Sequence, residues 1–239
     1  MLSLVVPAYN EGDKIYDNLM TICSELDRFC DDYEVLPIND GSKDNTHDEI
    51  NRAAIDNTHI RPVSYTPNRG KGGAIVEGVR EAKGDLIGFI DADLDLAPSH
   101  FEDFLNTMKN TSCDIVIGSK MHKESKLEYP FIRKVYSIGY YVMLKILFGL
   151  KIKDTQTGIK LYRSDLIKEI APKLKTQGFA FDIEILALAS TKKAKIEERP
   201  ITLEFTRGNS FGRIHIKDIL KMFTDTIKIW WNLKIRRSY

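Results

Sequence analysis

The sequence is poor in cysteine, in net charge and in long apolar runs. Its 239 residues hold three cysteines, Cys23, Cys30 and Cys113. Their spacing matches no metal-ligand or disulfide framework, and an odd count suits a reducing compartment. The nearest approach to a membrane span, Val135 to Leu150, is broken by Lys145 and falls short of the roughly 20 apolar residues a span needs. Met1 leads straight into the strand-like Leu2–Val6 without a charged leader, so no signal peptide is expected. Neither G-x-x-x-x-G-K-S/T nor a G-x-G-x-x-G after the first strand occurs, which excludes a Walker loop and a dinucleotide fingerprint. Repeats, low-complexity tracts and Gly/Ser linkers are missing too. The formal net charge is only +1, from 35 Lys and Arg against 34 Asp and Glu, which argues against a nucleic-acid coat protein. What is left is an ordinary globular composition, 43% hydrophobic and 29% charged, long enough to bury a core without staples.

The near-zero charge hides a split. Residues 1–119 carry 10 basic and 22 acidic side chains, and residues 120–239 carry 25 basic and 12 acidic. A basic half of this kind suits an anion, a nucleic acid or a membrane surface. The first half alternates short apolar runs with amphipathic ones. Strands are expected at Leu2–Val6, Glu34–Ile38, Ile60–Tyr65, Leu86–Ile90 and Asp114–Gly118, and helices at Lys14–Phe29, Asn45–Ile55, Gly72–Ala82 and Pro98–Met108. That order predicts an α/β fold, a mostly parallel Rossmann-like sheet with helices on both faces. Pro37 sits awkwardly in the second strand, since it cannot donate to a central ladder. The second half promises amphipathic helices at Phe131–Leu150, Phe179–Ser190 and His215–Arg236. The simplest division is one catalytic domain over 1–212, with halves 1–119 and 120–212, followed by a C-terminal amphipathic helix, 213–239.

Four segments carry chemistry, and each follows an expected strand. Asp91-Ala92-Asp93-Leu94-Asp95 comes directly after Leu86–Ile90. Alternate residues at a strand end project to one side, so the three carboxylates could converge. Hard oxygens that close suit Mg²⁺ or Mn²⁺ bridging to substrate phosphates; a solvated acidic loop is the bland alternative. Pro7-Ala8-Tyr9-Asn10-Glu11 offers a ring for stacking, or simply a strand-to-helix turn with Asn10 as cap. Asn39-Asp40-Gly41-Ser42-Lys43-Asp44-Asn45-Thr46 holds a tight Asp-Gly turn, a capping residue at Asp44 or Asn45, and a carboxylate placed to meet a base or ribose. Asn68-Arg69-Gly70-Lys71-Gly72-Gly73-Ala74 opens a helix with glycines that let an anion approach its N-terminus.

Taken together, Val-Pro-Ala-Tyr-Asn-Glu, Asp-Gly-Ser-Lys-Asp-Asn-Thr, Asn-Arg-Gly-Lys-Gly-Gly-Ala and Asp-Ala-Asp-Leu-Asp resemble the motifs of family 2 glycosyltransferases with the GT-A fold. More narrowly, the chain resembles the dolichyl/polyprenyl-phosphate hexosyltransferases. Gly118-Ser119-Lys120 is similar to that group's Gly-Ser-Arg. Asp154-Thr155-Gln156-Thr157-Gly158-Ile159-Lys160-Leu161-Tyr162 and Phe181-Asp182-Ile183-Glu184 are similar to runs of the glucose synthases. The match spans nearly the whole chain, in order.

The resemblance implies an inverting transfer of a hexose from a nucleotide sugar, UDP-glucose or GDP-mannose, to dolichyl or polyprenyl phosphate. Mg²⁺ or Mn²⁺ would assist departure of the nucleoside diphosphate. Pro7, Ala8, Tyr9, Glu11, Asp40, Lys71, Asp91 and Ala92 would meet the nucleotide. Asp91, Asp93 and Asp95 would surround the metal. Asp93 and Asp154 would be catalytic, with Asp154 positioning acceptor or sugar. Lys120, Arg133, Gln156, Arg207 and Arg213 would meet phosphates on the acceptor side. The chain departs from the pattern at Asn39, where a first Asp is usual, at Asp95 in place of Gln, at Lys120 in place of Arg, which loses a bidentate fork, and at Gly178-Phe179-Ala180, which lacks an Arg-Trp. A lipid substrate implies a peripheral protein on the cytoplasmic face of a membrane, binding no nucleic acid. Trp230 and Trp231, followed by Lys234, Arg236 and Arg237, suit an interfacial helix, although each apolar stripe could equally pack on the core. A same-fold transferase with a soluble acceptor, a non-catalytic nucleotide-sugar binder and a nucleotidyltransferase are the competing readings. The oligomeric state is not indicated.

Overall fold

The computed structural model describes residues 1–125, 131–176, 178, 180–202 and 216–239, with backbone alone for 131–138 and 216–220. Its first part follows the expected alternation: β1 (Leu2–Ala8), α1 (Ile15–Leu26), β2 (Tyr33–Asp40), α2 (Thr46–Asp56), β3 (Val63–Tyr65), α3 (Gly70–Glu81), β4 (Leu86–Phe89), α4 (His100–Thr111) and β5 (Ile115–Ser119). Then come α5 (Phe131–Phe148), β6 (Lys160–Arg163), α6 (Ser164–Ile170), α7 (Phe181–Thr191), β7 (Ile196–Pro200) and α8 (Ile216–Trp230), which runs into a π-helical stretch, Trp231–Arg236.

The strands form one sheet in the order β3-β2-β1-β4-β6-β5-β7. All pairings are parallel except those of β6, which runs antiparallel between β4 and β5. Strands β6 and β7 were not anticipated. A four-residue strand beginning on a lysine, and an edge strand reading Ile-Glu-Glu-Arg-Pro, carry too little apolar signal to stand out. The third strand is shorter than expected: Pro62 leaves Ile60 as an isolated bridge to Val35 and pairing resumes at Val63. That gap explains how Pro37 fits. Val35 turns its N–H and C=O toward the β3 side, residue 37 does likewise by strand alternation, and its missing donor falls where the neighbour is unpaired.

Period-two alternation divides the core. Val5, Leu36, Ile38, Ile87, Phe89, Ile115 and Ile117 face a layer built with α3, α5, α6, α7 and α8. Leu4, Val6, Val35, Val116 and Leu161 face α1, α2 and α4. Helix α7 is buried along nearly its whole length, from Phe181 to Ala189, as a helix apolar all round should be. Helix α5 stops two residues short of Leu150, at Gly149, which takes the left-handed φ of +72° and donates its N–H back to Lys145 O.

Candidate active site

The parallel strands deliver their carboxyl-terminal loops to one edge of the sheet, where open α/β sheets bind ligands. Two of these loops are laced together. Asn10, at φ +54°, caps no helix; its Oδ1 accepts the Lys43 N–H, while the Asn10 N–H donates to Ser42 Oγ. The Glu11 N–H donates to Thr46 Oγ1, and the Gly12 N–H to Asp44 Oδ2. Asp44, rather than Asn45, caps α2 by accepting the Thr46 N–H. Burial works against the Asp44 carboxylate, but these hydrogen bonds hold its pKa below the ordinary value. The third loop is tied to the second. Asp40 is 3% exposed, its Oδ1 accepts the Arg69 N–H at 2.7 Å, and its backbone O accepts Asn68 Nδ2. Asp40 thus braces the glycine-rich loop. Gly41, at φ +67°, is required there, since a Cβ would press on the Asn68 backbone.

Of the remaining first-half candidates, Pro7 lines the central cleft together with Lys71, Phe89, Asp91 and Phe181. Ala8 is buried at the end of β1, and Tyr9 is exposed beside it. Ala92 is buried, and its carbonyl accepts Asn18 Nδ2 from α1 at 2.7 Å. That bond anchors the carboxylate loop to the underlying layer.

The three carboxylates do not gather as expected. Strand β4 ends at Phe89, the Leu94 N–H turns back to Asp91 O, and Leu94 takes φ +53°. Strand alternation is lost before Asp95, whose N–H donates to Asp93 Oδ1 at 3.4 Å. Among the described residues no three His, Cys, Asp or Glu side chains form a group that could hold a metal. Asp91 instead pairs with the Lys71 ammonium. A Mg²⁺ or Mn²⁺ held here would have one or two carboxylates and would need substrate phosphates to complete its coordination. Asp91 already supports a cation, in the form of that ammonium.

The sequence singles out the runs 154–162 and 181–184 but gives no site role to Gly158, Lys160 or Asp182, which line the other wall of the cleft. The register Phe89↔Lys160 sets Gly158 opposite Asp91, so closely that a Cβ at Gly158 would overlap the Asp91 carboxylate. Lys160, 1% exposed, donates to Thr157 O and pairs with Asp182 at 2.6 Å. Burial pushes the Asp182 carboxyl up against the pull of Lys160 and Lys71. Burial works to lower Lys71, but Asp91, Asp182 and Asp93 outweigh it and hold Lys71 above the ordinary lysine value. A lysine inside Ile159–Tyr162 and an aspartate heading the apolar run 181–189 were the available signals.

Among the second-half candidates, Asp154 is buried and acts as a hub. Its Oδ2 accepts the Lys120 N–H at 2.8 Å, with Lys120 Nζ 3.9 Å away, and its Oδ1 accepts the Gln156 N–H. Glu198, on β7, accepts the N–H groups of Lys153 and Asp154. Gln156 Nε2 reaches Met222 Sδ on α8. Arg133 belongs to the first turn of α5, where only the backbone is described. Arg207 and Arg213 lie outside the described residues. A larger hollow under Leu233, Arg237 and Tyr239 involves none of these groups.

Comparison with known proteins identifies the family and the fold. Residues 3–171 match the model of Glycosyl transferase family 2. A dolichyl-phosphate beta-glucosyltransferase of Trichomonas vaginalis is 34% identical over 254 residues, covering 99% of this chain and 77% of that protein. The dolichyl-phosphate beta-glucosyltransferase of Saccharomyces cerevisiae is 33% identical over 248 residues, covering 95% and 73%. The dolichol-phosphate mannosyltransferase of Pyrococcus furiosus is 30% identical over 213 residues, covering 87% and 58%. Among solved structures, glucosyl-3-phosphoglycerate synthase from Mycobacterium tuberculosis, in complex with Mn²⁺, UDP and glucosyl-3-phosphoglycerate, superposes with a TM-score of 0.72 at 18% identity, over 97% of this chain and 79% of that one. The α/β architecture is thus the GT-A fold.

Proposed function

The chain belongs to glycosyl transferase family 2, and from that membership we propose that it transfers a hexose from a nucleoside diphosphate sugar to the phosphate of a polyprenyl, dolichyl-type lipid. UDP-glucose is the donor to try first. The names of the relatives and the Asp154–Tyr162 run both support it, and GDP-mannose is the alternative. One observation carries the reading. The loop Asp154–Gly158 touches Asp91 at one end, through Gly158, and helix α8 at the other, through Gln156 and Met222. A reaction joining a nucleotide sugar to a lipid needs such a link between a diphosphate site and a membrane-facing element.

In this reading the diphosphate lies near the start of α3. There Gly70 takes φ +75° and its N–H is taken by Asn68 Oδ1, but no acidic residue occupies the first turn, and the N–H groups that follow suit phosphate oxygens. Asp91 and Asp93 would hold the metal, which when bound neutralises charge growing on the leaving diphosphate. Lys71 lies within reach of the same charge. The acceptor phosphate is already an anion, so the site has no need of a strong base to generate the nucleophile. Its oxygen attacks the anomeric carbon, the bond to the diphosphate breaks, and the electron pair departs with the nucleoside diphosphate, inverting the anomeric centre. Asp154 positions Lys120 through its backbone N–H, and Lys120 meets the acceptor phosphate.

No helix among the described residues is long and apolar enough to cross a membrane. Helix α8 and its extension instead have two apolar faces. Thr226 and Ile229 are buried against the core, with Tyr140 hydrogen-bonded to Thr226. Phe223, Ile227, Trp231 and Ile235, four residues apart, are exposed, as are Val142 and Ile146 on α5. Lys145, Lys228, Lys234 and Arg236 are exposed on the same elements. Such a surface suits the interface of an anionic bilayer, and the terminal segment 216–239 would then lie on the membrane while its other face holds the domain. The variant Ile227→Asp/Trp231→Asp is expected to lose at least about tenfold in binding to phosphatidylserine-containing vesicles, with an unchanged melting temperature. Equal sedimentation of variant and parent would rule this surface out.

The reaction itself is tested by release of nucleoside diphosphate. UDP should appear from UDP-glucose only when polyprenyl phosphate and Mg²⁺ or Mn²⁺ are both supplied. Release that needs a soluble acceptor and ignores the lipid would contradict the proposal.

A further inference from the structure

We propose that Lys71 is a built-in counter-cation of the metal subsite: its ammonium competes with a divalent ion for Asp91, so that the ion binds well only when a nucleoside diphosphate arrives with it. The inference rests on the proposed function, because it takes Asp91 as a metal ligand, and it adds an order of loading that the reaction alone does not require.

Three observations support it. The first is the ion pair itself. Lys71 Nζ sits on Asp91 Oδ1, and Gly158 closes the other side of the same carboxylate so tightly that even a methyl group would overlap it. Asp91 therefore has little freedom to turn away from Lys71 toward an incoming ion. The second is charge balance. The buried Lys160–Asp182 pair balances itself, and the Lys71 ammonium answers Asp91, with Asp93 adding to the pull on it. A divalent ion entering alone adds two positive charges beside an ammonium it has just displaced, and like charges that close repel. The third is where Lys71 starts from. It is the second residue of α3, directly after Gly70 at φ +75°, whose N–H goes to Asn68 Oδ1, in a first turn with no acidic residue. An ammonium leaving Asp91 is already next to N–H groups suited to phosphate. A diphosphate supplies the negative charge that lets the ammonium and the metal coexist. The ring of Phe181 lies 5.9 Å from Nζ and lines the same cleft.

Metal and nucleotide must then strengthen each other by the same factor, since coupling between two binding events is reciprocal. The factor is removed when the lysine is removed. The test is Mn²⁺ titration followed by the electron paramagnetic resonance of free Mn²⁺, using the full chain as wild type, Lys71→Met and Lys71→Arg, each with and without UDP and GDP. Wild type should bind Mn²⁺ about tenfold more tightly with nucleotide than alone. Lys71→Met should bind Mn²⁺ alone about tenfold more tightly than wild type does alone, and gain less from the nucleotide. Lys71→Arg, which keeps the charge, should behave as wild type. Wild-type protein that binds Mn²⁺ equally well with and without nucleotide overturns the inference, whatever the variants do. Folded Lys71→Met that binds Mn²⁺ alone no better than wild type does so too. Both outcomes leave the proposed function standing. If neither wild type with either nucleotide nor Lys71→Met binds Mn²⁺, the metal assignment beneath both falls.

Discussion

Asp91→Asn is expected to lower the rate of hexose transfer about a thousandfold while leaving the protein folded. The carboxylate is 40% exposed and its Lys71 partner 29% exposed, so the ion pair contributes no more than about 1 kcal/mol to stability. Its contribution to turnover is larger, because charge develops on the leaving diphosphate only in the transition state, and each missing preorganised contact of that kind costs about 10²–10³ in rate. Gly158→Ala provides an independent check. It deletes no charge, yet its methyl group would push on the Asp91 carboxylate, and a shift of about 1 Å can cost on the order of 10²-fold. Steady-state kinetics with circular dichroism reads both variants. A rate within threefold of the parent in Asp91→Asn would remove this carboxylate from the mechanism.

The largest expected effect on stability lies one layer deeper. Lys160→Met leaves Asp182 buried without its partner, and breaking a buried ion pair costs about 3–5 kcal/mol. For a chain of this size that lowers the melting temperature by roughly 10 °C. Removing both charges, as Lys160→Met/Asp182→Leu, should restore most of the loss, since an apolar pair avoids the desolvation cost. Its activity should stay low, because Lys71 feels Asp182 as well as Asp91. Thermal denaturation of the two single variants and the double variant measures the coupling. Additive losses would mean that the pair is not a unit.

How much of this was legible in the sequence differs from one element to the next. Strands β1, β2, β4 and β5 and helices α1 to α4 were, because apolar runs of period two and helical stripes alternate there at regular spacing. The loops that end those strands were legible as motifs, and the structure brings them to one edge. Their internal roles were not. Nothing in Asn10 or Asp40 says that one accepts a hydrogen bond from Lys43 and the other from Arg69, since both bonds join loops about 30 residues apart. Convergence of Asp91, Asp93 and Asp95 was overestimated because strand alternation was carried past Phe89, into a turn with Leu94 left-handed. Strand β6 stayed hidden for a related reason. Its lysine looks like a surface residue until the antiparallel register buries it beside Asp182. The same strand is what sets Gly158 against Asp91. The C-terminal stripe looked like a choice between membrane and core, and α8 has one face for the core and another left exposed.

The central claim is that the acceptor is a lipid phosphate, and partition of the product tests it most directly. Purified protein is incubated with UDP-[¹⁴C]glucose, and in parallel GDP-[¹⁴C]mannose, together with Mg²⁺ or Mn²⁺ and detergent-dispersed polyprenyl phosphate, then extracted with chloroform and methanol. Label that moves into the organic phase, only when the lipid phosphate is present, and returns to the aqueous phase after mild acid is the predicted result. Label that stays aqueous with both donors, from protein shown to bind nucleotide and metal, would contradict it.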